Sequence, residues 1–376
     1  MKVAINCWVL RNKQIDGIGY FTINTISRII KNHPEVHFQI LCDKNFTENY
    51  FDCKNVSKHY IFPPLRHPLL YIFYMEFVLP FFLKKHKPDV FLSAEGFLSL
   101  GSKCRQIPII YDINFEHKPE DLKFRNRLYF KFFFKKFARK AWRIITISEY
   151  SKQDIANFYK IDAGKIDNVS CGINSNFYPL AANEIKETRE KWSDGKPYFF
   201  FVGSMHPRKN IKRLIEAFDL FKKNTNADVK LLLAGSILWS KSEIEKTFTD
   251  SLYKDDIVFT GRLSDGDLQK VLSAAFALTF VPIFEGFGLP IVEAMQSGIP
   301  VICSNVTSMP EVAGNAAILV NPFSVKDIAF GMEQLYNNPL LQNQLIEKGH
   351  RQKQFFSWDK TAALLWETID KAIVEK

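Results

Sequence analysis

The chain has 376 residues, 47% of them hydrophobic, and a formal net charge of +10 at pH 7. This length predicts two domains, and this apolar content excludes a disordered chain. The positive charge favours anionic partners such as nucleic acid, anionic lipid or phosphate-bearing substrates, and no nucleic-acid motif accompanies it. The six cysteines include no C-x-x-C pair. Their spacing argues against a zinc site or a disulfide framework and suits a reducing cytoplasm.

The first half of the chain alternates apolar runs with helical patterns. Its N-terminus predicts a buried strand and not a signal peptide, because Asn6 interrupts the short apolar run. The apolar segment 69–83 contains Glu76 and Pro80 and is too short to span a bilayer, so it predicts a buried helix. The strands predicted in this half are residues 3–7, 37–41, 90–92, 107–111 and 144–148.

Residues 123–143 contain no acidic residue and many aromatic ones. Such a segment is typical of a basic aromatic helix that lies in a membrane interface and attracts anionic headgroups. The alternative is a buried amphipathic helix whose basic face is merely solvated. We favour the first interpretation, so an anionic membrane surface is an expected partner of this segment.

The second half repeats strand, glycine turn and helix, which predicts a parallel doubly wound sheet. Ligands of such sheets bind beyond the carboxyl ends of the strands, where Gly203, Gly261 and the loop at Gly286 fall. The pattern breaks near residue 178, where we place a domain boundary, and a last helix is predicted at 358–374. The strands predicted in this half are residues 198–202, 229–234, 257–260, 277–281 and 301–303.

Residues 285–293, E-G-F-G-L-P-I-V-E, carry the strongest functional signal. The glycines permit a tight turn, and the proline suits the first turn of a helix that Gly298 would end. Backbone N–H groups of residues 287–291 would then converge on an anion, typically phosphate. Glu285 and Glu293 can accept hydrogen bonds from sugar hydroxyls on either side of this phosphate. The run therefore predicts a nucleotide-sugar pocket.

This run resembles the E-x7-E motif of retaining glycosyltransferases of family 4, which have the GT-B fold. Residues 201–210, F-V-G-S-M-H-P-R-K-N, resemble the G-x-x-x-x-R-K-N phosphate loop of that family, and residues 298–322 resemble its closing segment. The resemblance is strong over residues 198–330 and weaker in the N-terminal half.

The resemblance implies an α/β chain of two doubly wound, Rossmann-like domains that face each other across a cleft. Residues 1–178 would form the acceptor-binding domain, and residues 179–357 would bind the donor. The final segment, residues 358–376, would cross back to the N-terminal domain as a helix.

The same resemblance implies the roles of individual residues. Glu285 would hold the hydroxyls of the donor sugar, and Glu293 those of the ribose. Two cations at a helix N-terminus are unfavourable without an anion, and Arg208 and Lys209 could neutralise a departing diphosphate without a metal. The implied catalytic residues are Glu285, Asp112, Arg208 and Lys209. The implied nucleotide-sugar contacts are Gly17, Gly19, Gly203, Arg208, Lys209, Arg262, Leu263, Gly286, Phe287, Gly288, Leu289 and Glu293.

One position departs from the family pattern. Tyr111 stands before Asp112, where many relatives carry a histidine beside the transferred sugar. A tyrosine can donate a hydrogen bond but cannot be a cation. His117 is close in sequence, and we interpret it as a surface histidine.

Two further motifs resemble those of other protein classes, one a metal-binding motif and one a dinucleotide-binding motif. Residues 265–267, D-G-D, match the metal motif of another glycosyltransferase class, but Ser264 before them predicts a helix N-cap with an acidic first turn, so no metal is expected. The G-x-G at Gly17 lacks the third glycine of the dinucleotide fingerprint, since Thr22 stands in its place.

We therefore expect a cytoplasmic, metal-independent, retaining glycosyltransferase, with the inner face of the membrane as a peripheral location. It would move a hexose from GDP-mannose or a UDP-hexose to a glycan acceptor, lipid-linked, for a cell-surface polysaccharide such as lipopolysaccharide. The alternatives are a GT-B nucleotide-sugar epimerase and an inactive GT-B scaffold, the second suggested by Tyr111. The sugar, the base, the acceptor, the linkage and the oligomeric state stay open.

Overall fold

The computed structural model describes residues 1–11, 15–43, 49–60, 68–236 and 241–374. The chain divides into two compact units, Met1–Gly172 with Ser357–Lys376, and Ile173–Phe356. The N-terminal segment of the first unit ends at Gly172, shortly before the position near residue 178 at which the sequence pattern breaks.

The described residues form short strands joined by helices. The strands are β1 (Lys2–Asn6), β2 (His37–Cys42), β3 (Val56–Tyr60), β4 (Val90–Ser93), β5 (Arg105–Pro108), β6 (Ile144–Thr146), β7 (Ile166–Asn168), β8 (Tyr198–Val202), β9 (Lys230–Ala234), β10 (Ile257–Gly261), β11 (Ala277–Phe280), β12 (Val301–Ser304) and β13 (Ile318–Val320). The helices are α1 (Gly17–Asn32), α2 (Pro68–Phe73), α3 (Leu79–His86), α4 (Asn114–His117), α5 (Phe124–Lys140), α6 (Glu149–Tyr159), α7 (Ala182–Ser193), α8 (Ile211–Thr225), α9 (Lys241–Asp250), α10 (Asp265–Ser273), α11 (Leu289–Ser297), α12 (Met309–Ala313), α13 (Val325–Tyr336), α14 (Pro339–Gln352) and α15 (Trp358–Val374).

The first unit is built on a five-stranded parallel sheet of order β3-β2-β1-β4-β5. The pair β6-β7 follows it through a single bridge between Ile109 and Ile145. The central strands β1 and β4 are buried along almost their whole length, as is usual for a parallel sheet. The edge strand β3, V-S-K-H-Y, is only partly buried, which explains why its polar sequence did not predict a strand.

Helix α15 belongs to the first unit although it follows the second unit in sequence. Asp359 pairs with Arg28 of α1 at 2.7 Å, and Trp366 stacks on His33 with the ring centroids 3.7 Å apart. Its buried side chains include Leu365, which is fully enclosed. The predicted return of the last helix to the N-terminal domain is confirmed.

The segment predicted as one buried helix at 69–83 is α2 and α3, joined by a π-helical turn at Tyr74–Val78. One face, with Tyr74 and Leu79, is buried as expected. The other face exposes Phe73, Phe77 and Phe81 by 48%, 65% and 69%. The prediction of a buried helix is therefore right for one face and wrong for the other.

The second unit contains a six-stranded parallel sheet of order β10-β9-β8-β11-β12-β13. Its first strand, β8, lies between β9 and β11, so the strand order reverses beside it. Ligand crevices of doubly wound sheets lie at such a reversal, beyond the carboxyl ends of the strands. Gly203 follows β8 there, and the E-G-F-G loop follows β11. The predicted doubly wound parallel architecture is confirmed.

No helix in the described part of the chain combines the length and the apolar character that crossing a membrane requires.

Candidate functional site

The loop after β11 turns directly into α11. Gly288 is the N-cap with φ of +103°, a conformation that suits glycine, and Gly298 ends the helix with φ of +72°. Pro290 lies in the first turn. The predicted turn and helix are thus present. The N–H of Ile291 donates to the carbonyl oxygen of Gly288 at 3.0 Å, so this group is used within the turn and is not part of the expected anion-binding set.

Glu285 contacts both cations of the R-K pair. A 3₁₀ turn, Pro207–Lys209, follows β8 and presents Arg208 and Lys209. Arg208 Nη1 and Lys209 Nζ each lie 2.5 Å from Glu285 Oε1. Arg208 Nη1 also donates to the carbonyl oxygen of Phe284 at 3.1 Å. The structure therefore brings together three of the four residues for which we predicted a catalytic role.

The charges of Lys209 and Arg208 influence the pKa of Glu285. Burial alone would raise the pKa of Glu285, but the charges and hydrogen bonds of Lys209 and Arg208 outweigh it and hold the pKa below its usual value. The side chains of Lys209 and Glu285 are only 10% and 12% exposed. Both cations contact the same carboxylate in a poorly solvated place. Paired Arg and Lys side chains of this kind are typical of sites that bind phosphate.

The third residue of the R-K-N run has a structural role. Asn210 Nδ2 donates to the carbonyl oxygens of Val281 and Pro322, at 3.0 and 2.7 Å. It thereby links the loop after β8 to the loop after β11. The helix that follows, α8, begins at Ile211.

Hydroxyl groups from the segment before α12 fix the E-G-F-G loop. Ser308 Oγ donates to the carbonyl oxygens of Glu285 and Phe287, at 2.9 and 3.0 Å. Thr307 Oγ1 accepts the N–H of Glu285 at 3.3 Å. The sequence analysis gave these two residues no role. The available signal was their place in the segment 298–322, which resembles the closing segment of the family.

Glu293 lies on α11 and differs from Glu285 in its surroundings. Burial, together with the charge of Asp265, raises the pKa of Glu293 to about 7. No residue in the described ranges donates a hydrogen bond to its carboxylate. Arg262 and Leu263 stand just before Asp265 in sequence, so their loop lies on the same side of the unit as Glu293. A carboxylate and a loop of this kind could receive ribose hydroxyls and a base.

The D-G-D run behaves as a helix start. Ser264 Oγ accepts the N–H of Asp267 at 3.1 Å, and Asp265 and Asp267 form the acidic first turn of α10. Asp267 also pairs with Lys191 at 3.0 Å. The predicted N-cap is confirmed. The absence of a metal requirement stays a prediction.

The glycine pair near the N-terminus lies in the first turn of α1 and not in a loop before it. Asp16 caps this helix, and its Oδ1 accepts the N–H of Gly19 at 3.0 Å. A Cβ atom on Gly19 would lie 2.6 Å from Ile15 Cγ2, so packing already requires this glycine. Gly17 is exposed and is the first residue of α1. Their contact with a donor stays a prediction.

Asp112 and its neighbours lie beyond β5 in the first unit. Asp112 Oδ1 accepts the N–H of Asn114 at 3.0 Å at the start of α4. Burial raises the pKa of Tyr111 well above its usual value, so its phenol stays neutral. His117 Nε2 lies 2.9 Å from the carboxylate of Asp154 and is partly exposed, in keeping with the surface interpretation.

Two family models match the chain. Glycosyl transferases group 1 matches residues 183–352, and Glycosyltransferase Family 4 matches residues 15–177. The chain is 31% identical over 217 residues to O-antigen chain mannosyltransferase B of Escherichia coli. This match covers 57% of the chain and 57% of that relative, so the similarity spans little more than half of its length.

Solved structures share the whole architecture. Sucrose-phosphate synthase from Thermosynechococcus elongatus superposes with a TM-score of 0.77 at 18% identity and covers all of both chains. Anabaena HepE in complex with UDP and glucose superposes with a TM-score of 0.77 at 17% identity, covering 99% of this chain and 100% of HepE. Together the two family models span most of the chain, and the architecture agrees with them. The protein belongs to the group 1, family 4 glycosyltransferases and has the GT-B fold.

Proposed function

We propose that the protein transfers a hexose from a nucleoside diphosphate sugar to a glycan acceptor, with retention of configuration and without a metal. The observation that carries this proposal is the contact of Glu285 with Arg208 and Lys209 at the strand reversal of the second unit. A diphosphate suits the paired Arg208 and Lys209 side chains there, and a carboxylate beside them suits sugar hydroxyls.

The donor would be held from both ends. Arg208, Lys209 and the N–H groups of residues 287–289 would bind the diphosphate. Glu285 would then accept hydroxyls of the hexose, Glu293 those of the ribose, and Arg262 with Leu263 would line the base. GDP-mannose or a UDP-hexose is the donor that we propose. The relative in Escherichia coli is an O-antigen mannosyltransferase, and HepE binds UDP and glucose, which supports this choice.

The reaction would break the bond between the anomeric carbon and the phosphate oxygen, and the electron pair would pass to the diphosphate. The two cations would stabilise this charge as it develops. The acceptor oxygen would form its bond to the anomeric carbon on the same face. Its proton would pass to the leaving phosphate, so no protein nucleophile is needed.

The acceptor in this proposal is a lipid-linked glycan of a cell-surface polysaccharide, and the enzyme would act at an anionic membrane. Helix α5 buries Phe134 and Phe137 but exposes Phe124 and Phe132. Lys136 Nζ lies 3.5 Å from the ring centroid of Phe132. An exposed aromatic and basic face of this kind suits a membrane interface with anionic headgroups.

The decisive experiment incubates the protein with GDP-mannose or UDP-glucose and a panel of α-mannosides and α-glucosides, in excess EDTA. Proton NMR of the product gives the anomeric configuration. We expect an α-linked product from an α-donor with EDTA present. An inverted product, or activity that EDTA removes and Mn²⁺ or Mg²⁺ restores, would contradict the proposal. Donor binding without any turnover would favour the inactive scaffold that Tyr111 suggests.

A further inference from the structure

A carboxylate stands at the strand reversal of the first unit. In that sheet β1 lies between β2 and β4, so the order reverses between β1 and β4. Glu95 lies two residues after the end of β4, and Asp16 is the N-cap of α1, the first α-helix after β1. This is the edge at which a doubly wound sheet places a ligand crevice. Neither the motifs nor the family resemblance assigned Glu95 a role.

Glu95 is half-buried as a residue, and its carboxyl group lies in the interior of the first unit. Its charge acts on the Cys7 thiol and the Tyr111 phenol, and the charges of Arg11 and Asp16 act on Glu95. No residue in the described ranges donates a hydrogen bond to it. A partly buried carboxylate favours hydrogen-bond donors, and the hydroxyls of a ligand could act as such donors.

An aromatic pair is connected to Arg11, whose charge acts on Glu95. Phe97 is two residues after Glu95 and stacks on Tyr71, with the ring centroids 5.4 Å apart and the planes 25° apart. Arg11 Nη2 donates to the hydroxyl of Tyr71 at 3.3 Å, which connects the pair to the neighbourhood of Glu95. Apolar and aromatic walls with a few well-placed polar groups are typical of small-molecule sites. A carboxylate next to aromatic rings suits a sugar, which offers hydroxyls and apolar C–H faces.

We propose that Glu95 recognises the terminal sugar of the acceptor glycan by accepting hydrogen bonds from its hydroxyls, with Tyr71 and Phe97 as the adjoining wall. The proposal rests on the proposed glycosyl transfer for its biological meaning, but the binding itself can be measured without turnover. No bond is formed or broken on Glu95, whose part is to bind and orient the acceptor.

The pH dependence follows from the groups that face Glu95. Burial raises its pKa to about 7, the charge of Arg11 lowers it and that of Asp16 raises it. The carboxylate is therefore mostly ionised at pH 8 and mostly protonated at pH 6. An ionised carboxylate accepts stronger hydrogen bonds than a protonated one. Binding of the acceptor sugar should therefore weaken as the pH falls from 8 to 6.

The test uses the full chain and saturation-transfer NMR with methyl α-D-mannoside, methyl α-D-glucoside and methyl α-D-galactoside, without donor. We expect saturation transfer to at least one glycoside at pH 8. Glu95→Gln should weaken that binding about tenfold, the usual effect of losing one charge-assisted hydrogen bond. Glu95→Gln should also abolish the pH dependence, and Glu95→Asp should keep it.

The matched control is Glu116→Gln, since Glu116 is another part-buried carboxylate of the first unit with a raised pKa and accepts from Tyr159. It should leave glycoside binding unchanged. Calorimetry with UDP and GDP separates the two hypotheses, because Glu95→Gln should leave nucleotide affinity unchanged even if transfer is never observed. No saturation transfer to any glycoside, equal binding by Glu95→Gln, or a loss of nucleotide affinity in that variant would overturn the assignment.

Discussion

Arg208 Nη1 lies 2.5 Å from Glu285 Oε1, so a residue expected to hold phosphate is paired with a residue expected to hold the sugar. Lys209 makes the same contact. In the absence of a ligand the carboxylate shields both cations. A bound diphosphate would share these cations and leave Glu285 available for hydroxyl groups. The ion pair therefore couples the two halves of the proposed donor site.

The first prediction concerns the two cations. Arg208→Ala with Lys209→Ala should abolish the binding of UDP and GDP, since each charge-assisted contact contributes about 1.5–3 kcal/mol. This double variant also leaves Glu285 buried without a partner, which should lower the melting temperature. Adding Glu285→Gln should restore the melting temperature without restoring nucleotide binding. Calorimetry and thermal unfolding measure both effects.

The control for this series is Lys191→Ala, which removes a cation from an ion pair with Asp267 in the same unit. Nucleotide affinity should be unchanged in it. If the double variant retains the nucleotide affinity of the wild type, the diphosphate is bound elsewhere.

The second prediction separates the two glutamates. Glu293→Gln should weaken both the sugar donor and the bare nucleoside diphosphate, because it changes the ribose contact. Glu285→Gln should retain the affinity for bare nucleotide, since it leaves both cations in place, and should lower turnover by about one to two decades. Titrating both variants with nucleotide and with donor measures this difference. Equal losses of bare-nucleotide affinity would refute the assigned roles.

The third prediction concerns pH. Because the pKa of Glu293 is raised to about 7, the ionised form that ribose hydroxyls prefer is depleted as the pH falls below 7. The affinity for UDP or GDP should therefore decline from pH 8 to pH 6 in the wild type and decline less in Glu293→Gln. The phosphate of the nucleotide titrates in the same way with both proteins. The difference between their pH dependences of nucleotide affinity therefore reports on Glu293.

The same raised pKa has a consequence for stability. A carboxyl whose pKa is higher in the folded state stabilises the fold below its unfolded pKa and loses this contribution as the pH rises through 7. Glu293→Gln should thus unfold at a higher temperature than the wild type at pH 8 and lack that advantage at pH 4.5. If the difference in melting temperature between the variant and the wild type were the same at both pH values, the carboxyl would not be buried in solution.

The fourth prediction concerns the membrane. Charge reversal at Lys131, Lys135 and Lys136, all exposed on α5, should release the protein from anionic vesicles without changing donor affinity. Binding of the wild type should weaken with salt, because exposed charges are screened beyond about 8 Å at physiological ionic strength. Co-sedimentation with vesicles measures both.

The matched control reverses three exposed lysines of the second unit, Lys186, Lys223 and Lys246. If this variant is released to the same extent, only net charge matters and α5 has no special role. Sedimentation of the wild type that is no greater with anionic than with neutral vesicles would exclude the interaction.

Regular local patterns made much of the fold predictable. Apolar runs ending in glycine predicted β8 and the helix after it, and Pro290 and Gly298 predicted the bounds of α11. The strands β3, β7 and β13 were not predicted: β3 has a polar sequence, and β7 and β13 are three-residue strands outside the predicted apolar runs. In such strands, pairing with a neighbour decides the conformation more than residue preference does.

The site was only partly predictable for a different reason. Motifs identified Arg208, Lys209 and Glu285 one at a time, but their contact depends on how two distant loops fold. Ser308 acts through its hydroxyl on backbone carbonyls, a role that leaves no pattern in a single sequence. Glu95 has no motif around it, and only the strand order places it at the edge where doubly wound sheets bind ligands.

Because α15 belongs to the first unit, only the second unit can be exchanged as one continuous segment in protein engineering. The second unit is one continuous stretch, Ile173–Phe356, which could be exchanged with that of a relative as a single cassette. The first unit is assembled from both ends of the described chain. A fragment that stops at Gly172 would lack α15 and leave the apolar surface that packs against Trp358 and Leu365 open to water. Chimeras should therefore be joined on both sides of the second unit, and a truncated first unit should aggregate.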